Sequence, residues 1–210
     1  GGTPAILPSI QKSAPSFKAG ELVAYAPTAG NPDLRKIWQE KILIKNPLLA
    51  GKKMSLPVVV PGLTAGISYI ADLFLDENKP LLAPNPSWDN YALVTEARRG
   101  AEFHQFTMFK NGKFDISALE KAMNEEAEKY GSVRVILNFP QNPSGYSPTH
   151  KEVEEICRIV KGIAEKGKKV LVLSDDAYFG LDYEDSIEKQ SLFAYIADIH
   201  ENVLAVKADG

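Results

Sequence analysis

The sequence predicts a three-layer α/β/α domain with a mainly parallel sheet. Two observations carry this. Short apolar runs recur along the chain, and stretches with helical spacing separate them. Residues 170–173 (Val-Leu-Val-Leu) and 203–206 (Val-Leu-Ala-Val) are apolar at every position, as strands become when both faces of a sheet are covered.

The elements follow in order. Asn31-Pro32-Asp33 reads as an N-cap with proline at the first helical position, opening a helix towards Lys45. Val58-Val59-Val60 is a β-branched run and predicts a strand, with a helix from about Thr64 to Asp76. Leu81-Leu82-Ala83 predicts another strand, and Asp89 or Asn90 opens a helix towards Arg99. Residues 103–109 alternate as a strand does, and Asp115 caps a helix to about Lys129. Residues 133–137 form a further strand. Thr149 with Glu152 makes a capping box, and the helix behind it carries Val153, Ile156, Cys157, Val160 and Ala164 as one apolar stripe.

Composition excludes several classes. Of 210 residues, 44% are hydrophobic and 24% charged, a globular balance, and a net charge of −3 asks for neither nucleic acid nor an anionic membrane. The longest apolar region, 57–75, is broken by Pro61, Gly62 and Asp72, so it reads as strand plus helix and not as a membrane span. A single cysteine, Cys157, allows no internal disulfide and points to a reducing compartment, which places the protein in the cytoplasm. The first residues lack the pattern of a signal peptide, and a start without Met suggests trimming.

In a parallel sheet, ligands sit at the carboxyl ends of the strands. Pro61-Gly62-Leu63-Thr64-Ala65-Gly66 could cradle a phosphate, although a plain tight turn with a helix cap accounts for it as well. Trp88, in a proline-rich loop, could stack on a flat ring or simply anchor the core. Asn142 sits in a loop made rigid by Pro140, Pro143 and Gly145, as a donor or as a turn former. Asp175 ends a buried strand, where a carboxylate is costly without a positive partner; a turn cap is its plainer role. Neighbouring strand residues point to opposite faces, so Asp175 and Asp176 cannot both meet one ligand. A flat, phosphorylated, nitrogen-containing aromatic would use all of these features together.

Asn138-Phe139-Pro140-Gln141-Asn142-Pro143-Ser144-Gly145 resembles the Asn-x-Pro-x-Asn-Pro-Thr-Gly signature of fold-type I pyridoxal-phosphate-dependent aminotransferases. Asp175-Asp176-Ala177-Tyr178 resembles their Asp-x-Ala-Tyr motif, Pro86-Ser87-Trp88 their ring-stacking loop, and residues 25–30 with Leu34-Arg35 their Tyr-x-x-x-x-Gly segment. The likeness is greatest to the aspartate and aromatic aminotransferase branch. It implies amino-group transfer between an amino acid and a 2-oxo acid, with pyridoxal 5'-phosphate as cofactor. Gly62, Leu63 and Thr64 would hold its phosphate. Trp88 would stack on its ring, Asn142 and Tyr178 would hydrogen-bond its phenolic oxygen, and Asp175 would pair with the ring nitrogen. Tyr25 would serve the neighbouring subunit's cofactor, which implies a homodimer. Gly62-Leu63 departs from the residue pairs common in the family's phosphate cup, and Ser144 stands for Thr.

The resemblance also implies an organisation. Residues 1–30 would be an N-terminal segment partly at a domain or dimer interface, and 31–210 the cofactor-binding large domain. The Schiff-base lysine would fall after Gly210, and the small C-terminal domain would be absent, so this stretch alone is expected not to transaminate. Alternatives are a non-catalytic cofactor-binding or structural fragment, or a lyase or decarboxylase of the same fold. Lys207 reads as a surface or strand-end lysine. Gly162–Lys168 imitates a P-loop, but Lys169 replaces the needed Ser or Thr and the segment ends a helix before a strand. His104, His150 and His200 are too scattered for a metal site. Cys157 reads as core, and Asp182, Glu184 and Asp185 as a solvated loop.

Overall fold

The computed structural model describes residues 2–210. Two short helices, α1 (Pro8–Ser13) and α2 (Ala19–Val23), precede α3 (Pro32–Lys45) and α4 (Leu63–Phe74). Strands and helices then alternate through β1 (Leu81–Asn85), α5 (Asn90–Ala92), β2 (Phe103–Thr107), the strands β3 (Phe109–Lys110) and β4 (Lys113–Phe114), and α6 (Ile116–Tyr130). The chain continues with β5 (Ser132–Asn138), α7 (His150–Glu165), β6 (Lys169–Asp175), α8 (Leu192–Ile196) and β7 (Val203–Ala208). Five strands make a parallel sheet in the order β2-β1-β5-β6-β7, while β3 and β4 pair antiparallel beside it.

Local chemistry sets the helix ends. The Asn31 side chain accepts from the amides of Asp33 (2.9 Å) and Leu34 (3.1 Å), with Pro32 next in the chain, so α3 begins where the sequence says. Asp115 accepts from the Ala118 amide, and Gly131, at φ 70°, ends α6 in the left-handed conformation that glycine adopts without strain. Thr149 and Glu152 form the reciprocal capping box of α7.

Period-two alternation then divides the strands between two cores. Val133, Val135, Leu137, Val170 and Val172 pack with α6 and α7. Ile136 and Leu173 face the other way and pack with Ile67 and Ala71 of α4 and with Tyr91 of α5. Each aliphatic side chain buried on α7, such as Ile156 or Val160, contributes about 1.5–3 kcal/mol by leaving water. Register brings Asn138, Asp175 and Ala208 side by side at the carboxyl end of the sheet.

Several expectations change. Residues 58–60 form no strand: Val58 and Val59 are 62% and 41% exposed. β-propensity needs a neighbouring strand to act on, and this run pairs with none; the Val59 amide instead donates to the Ala29 carbonyl (3.0 Å) in the loop before α3. Gly30 is required there, because a Cβ on it would stand 2.4 Å from the Val59 Cβ. The helix expected from Asn90 to Arg99 is present, but its middle, residues 93–97, winds as a π-helix between α-helical ends. α8 and the β3–β4 pair were not foreseen. Lys207 is no surface residue, since its side chain is 5% exposed.

Candidate functional site

The carboxyl end of β6 gathers several buried polar side chains, among them Asn138, Asp175 and Asp176. Asp175 is 2% exposed. Its Oδ2 accepts the hydroxyl of Tyr91, its Oδ1 accepts the Ala177 amide (3.2 Å), and its carbonyl accepts from Asn138 Nδ2 (2.7 Å). None of these partners is a cation. Burial therefore dominates and raises the proton affinity of Asp175, against the smaller lowering by the Tyr91 hydroxyl. Burial, and then the adjacent carboxylate, push the Tyr91 phenol well above its ordinary value, so it stays a proton donor.

Tyr91 also meets Trp88 edge to face, with ring centroids 5.6 Å apart. Trp88, Tyr91 and Asp175 thus form one continuous wall. Tyr91 was missed from the sequence. The available signal was its place three residues after Trp88 at the opening of a helix, a spacing that brings two side chains onto one face.

Asn142 joins the same edge through Asn138, whose Oδ1 accepts the Asn142 amide (2.7 Å). Gln141 stiffens the loop by donating to the carbonyls of Pro86 and Asn142 (both 2.8 Å) and accepting the amide of Ser144 (2.9 Å). The Asn142 and Tyr178 side chains have no hydrogen-bond partner among the described residues, and Tyr178 is 41% exposed. Gly62 adopts φ 98° just before α4, leaving Leu63 and Thr64 in the first turn with amides that no helical carbonyl can reach. Leu63 lies near Gly210, which a Cβ would put 3.9 Å from the Leu63 Cδ1, so this helix start adjoins the end of β7. Tyr25 stands apart from these groups in its contacts: it is 93% exposed and makes no side-chain hydrogen bond among the described residues.

The remaining candidates have structural partners. Cys157 is half-buried, and burial pushes its thiol up to about 11, the opposite of an activated nucleophile. His104 lies between Glu102 (3.0 Å) and Glu126 (2.5 Å), and His150 between Glu154 (3.4 Å) and Glu188 (2.7 Å). Asp182 pairs with Lys189 at 2.7 Å. A surface hollow of about 510 Å³ lies at the amino end of β1, lined by Asp76, Lys79 and Arg99 among others, and none of the carboxyl-end residues lines it.

The chain is similar to known proteins over most of its length. The pattern of the family described as aminotransferase class I and II matches residues 2–206. A probable aspartate/prephenate aminotransferase of Aquifex aeolicus is 30% identical over 162 residues, which are 77% of this chain and 38% of that protein. An aromatic-amino-acid aminotransferase of Thermococcus litoralis is 28% identical over 174 residues, covering 81% of this chain and 41% of its own. The crystal structure of an aminotransferase from Anaerococcus prevotii superposes with a TM-score of 0.83 at 26% identity, over 97% of this chain and 49% of that one. The chain thus spans about two-fifths of the length of these curated relatives.

Proposed function

The chain belongs to the aminotransferase class I and II family, and on that premise we propose that the full-length protein moves an amino group between an amino acid and a 2-oxo acid, using pyridoxal 5'-phosphate. The observation that carries this reading is Asp175, a buried carboxylate at a strand end whose hydrogen-bond partners include no cation. A protonated ring nitrogen supplies the missing charge. The cofactor, when bound, contributes a cationic aromatic ring into which electrons from the substrate's Cα bonds can be drawn.

The chain's own residues divide the remaining work. Asp175 keeps the proton on the ring nitrogen. Trp88 covers the ring and excludes water from it. Asn142 and Tyr178 donate to the phenolic oxygen. Gly62, Leu63 and Thr64 offer backbone amides and a hydroxyl to the phosphate, at the positive end of the α4 dipole. Tyr25 reaches the phosphate of a second copy, which makes the working protein a homodimer. In this reading residues 31–210 belong to the cofactor-binding domain and residues 1–30 to an interface arm. The lysine that holds the cofactor and the smaller domain lie outside this stretch. A cytoplasmic home is part of the same reading, supported by the single free thiol, Cys157. No helix among the described residues is long and apolar enough to cross a membrane.

The test is to titrate the purified full-length protein with pyridoxal 5'-phosphate. Binding is followed by the cofactor's absorption, and transfer from aspartate or phenylalanine to 2-oxoglutarate is then assayed. Saturable binding with transfer is expected. Elimination or decarboxylation of the amino acid without transfer would reassign the protein to another chemistry of the same fold, and no binding would end the cofactor reading. For the dimer, mixing a Tyr25→Phe variant with a variant impaired at Asp175 should restore activity in hybrids; no recovery would count against shared sites.

A further inference from the structure

The sequence places two carboxylates in succession at the end of β6, and only one has been given a task. Asp176 is 4% exposed. It accepts the Ser191 hydroxyl (2.6 Å) and the ammonium of Lys207, and its amide donates to the Ala208 carbonyl (2.8 Å). Lys207 in turn meets Asp209 at 2.9 Å and lies over the ring of Phe179, 4.7 Å from its centroid. Ser191 caps α8, and its amide donates to Asn46 Oδ1 (2.7 Å) just after α3. Lys207 alternates with Val206 and Ala208, which pack on the Tyr91 side of the sheet, and shares the opposite face with Ala205. Asp175 and Asp176 therefore have partners on opposite sides of the sheet end.

Two adjacent buried carboxylates without distinct partners would raise each other's proton affinity and compete for the same cation. We propose that Lys207 is a positioning residue: by holding Asp176 on the α8 side of the sheet end, it reserves Asp175 for the cofactor's ring nitrogen. The role rests on the cofactor reading above, and Lys207 touches the cofactor in no step. Register carries the coupling, since Lys207 precedes Ala208, whose strand partner is Asp175 and whose carbonyl holds the Asp176 amide.

The test is a double-mutant cycle in the full-length protein, read as the dissociation constant for pyridoxal 5'-phosphate from the quenching of tryptophan fluorescence. Lys207→Met should weaken binding about tenfold, a loss of about 1.4 kcal/mol. In an Asp175→Asn background the same change should weaken it by less than about threefold, because the group that Lys207 positions is already gone. Lys207→Arg should restore most of the affinity. Equal weakening in both backgrounds would show a merely stabilising ion pair, and no weakening in the wild-type background would equally overturn the proposal. If Lys207→Met does not fold, Asp209→Asn takes its place in the cycle, with a smaller loss and the same dependence on Asp175. Failure of the cofactor reading is told apart by Asp175→Asn alone: if it leaves cofactor binding unchanged, the fault lies with that reading and not with Lys207.

Discussion

At the carboxyl end of the sheet, Asp175 and Asp176 are 2% and 4% exposed and spend their oxygens on named donors. At the amino end, Glu102 is 59% exposed while accepting the Tyr130 hydroxyl (2.9 Å) and touching His104. Carboxylates thus meet opposite conditions at the two ends of one sheet. Burial raises the proton affinity of both aspartates, whereas the Tyr130 hydroxyl lowers that of Glu102. A charge left in water costs little and contributes little. A charge taken out of water is retained where something else needs it, and the carboxyl end is the end that a ligand would occupy.

The sharpest way to break this contrast is at Asp175. In the full-length protein Asp175→Asn should lower transfer activity by about a hundredfold or more, because an amide cannot hold a charged ring nitrogen. Asp176→Asn should cost far less, and equal effects on kcat/KM would show that the wrong carboxylate was chosen.

A smaller effect is expected at a charge that breaks the pattern. Arg134 lies near the amino end of β5 and is 9% exposed. Its second terminal nitrogen donates to Ser132 (2.9 Å), but Nη1 has no partner, and burial lowers its pKa. Arg134→Met removes a buried charge that is only partly satisfied, so urea denaturation should show a change within about 1 kcal/mol of wild type, of either sign. A loss of several kcal/mol would mean that the amino end also depends on a buried charge.

The smallest effect belongs to Glu102→Gln, which should shift Tm by no more than about 2 °C. Its carboxyl is held low in the fold, first by the Tyr130 hydroxyl. Its stabilisation is therefore present above the ordinary value of 4.5 and is lost as pH falls through the lower folded value. Asp175 has the opposite sign. Its folded value is raised, so in the cofactor-free protein its contribution is intact below 3.8 and declines as pH rises through the folded value. Melting curves of the two variants across this range should diverge from wild type in opposite directions.

Much of the fold was legible because its signals are local. The caps at Asn31, Asp115 and Thr149 need only the residues within one turn, and all three hold. The apolar runs of β6 and β7 required no knowledge of their partners to be read as strands; β6 is buried as expected, but β7 is the edge strand of the sheet with Leu204 47% exposed, so the expectation that both its faces are covered fails there. Residues 58–60 misled for the converse reason. A β-branched run becomes a strand only if another strand lies beside it, and that is a fact about the remainder of the chain. The site divides in the same way. Trp88, Asn142 and Asp175 stand out because their neighbours in sequence are unusual. Tyr91, Asn138 and Lys207 act through partners 84, 37 and 31 residues away.

The sequence by itself determined the strand and helix alternation, the helix starts, and which side chains would compete for the carboxyl end of the sheet. Those properties follow from period, propensity and capping, which operate over a few residues. Only the tertiary structure decided that Lys207 is buried, that Tyr91 takes one oxygen of Asp175, and that Asp176 belongs to the other side. Each depends on strand order and register, which set Asp175 beside Ala208 and carry Lys207 to Asp176. No local preference encodes the distance between residues that far apart in the chain.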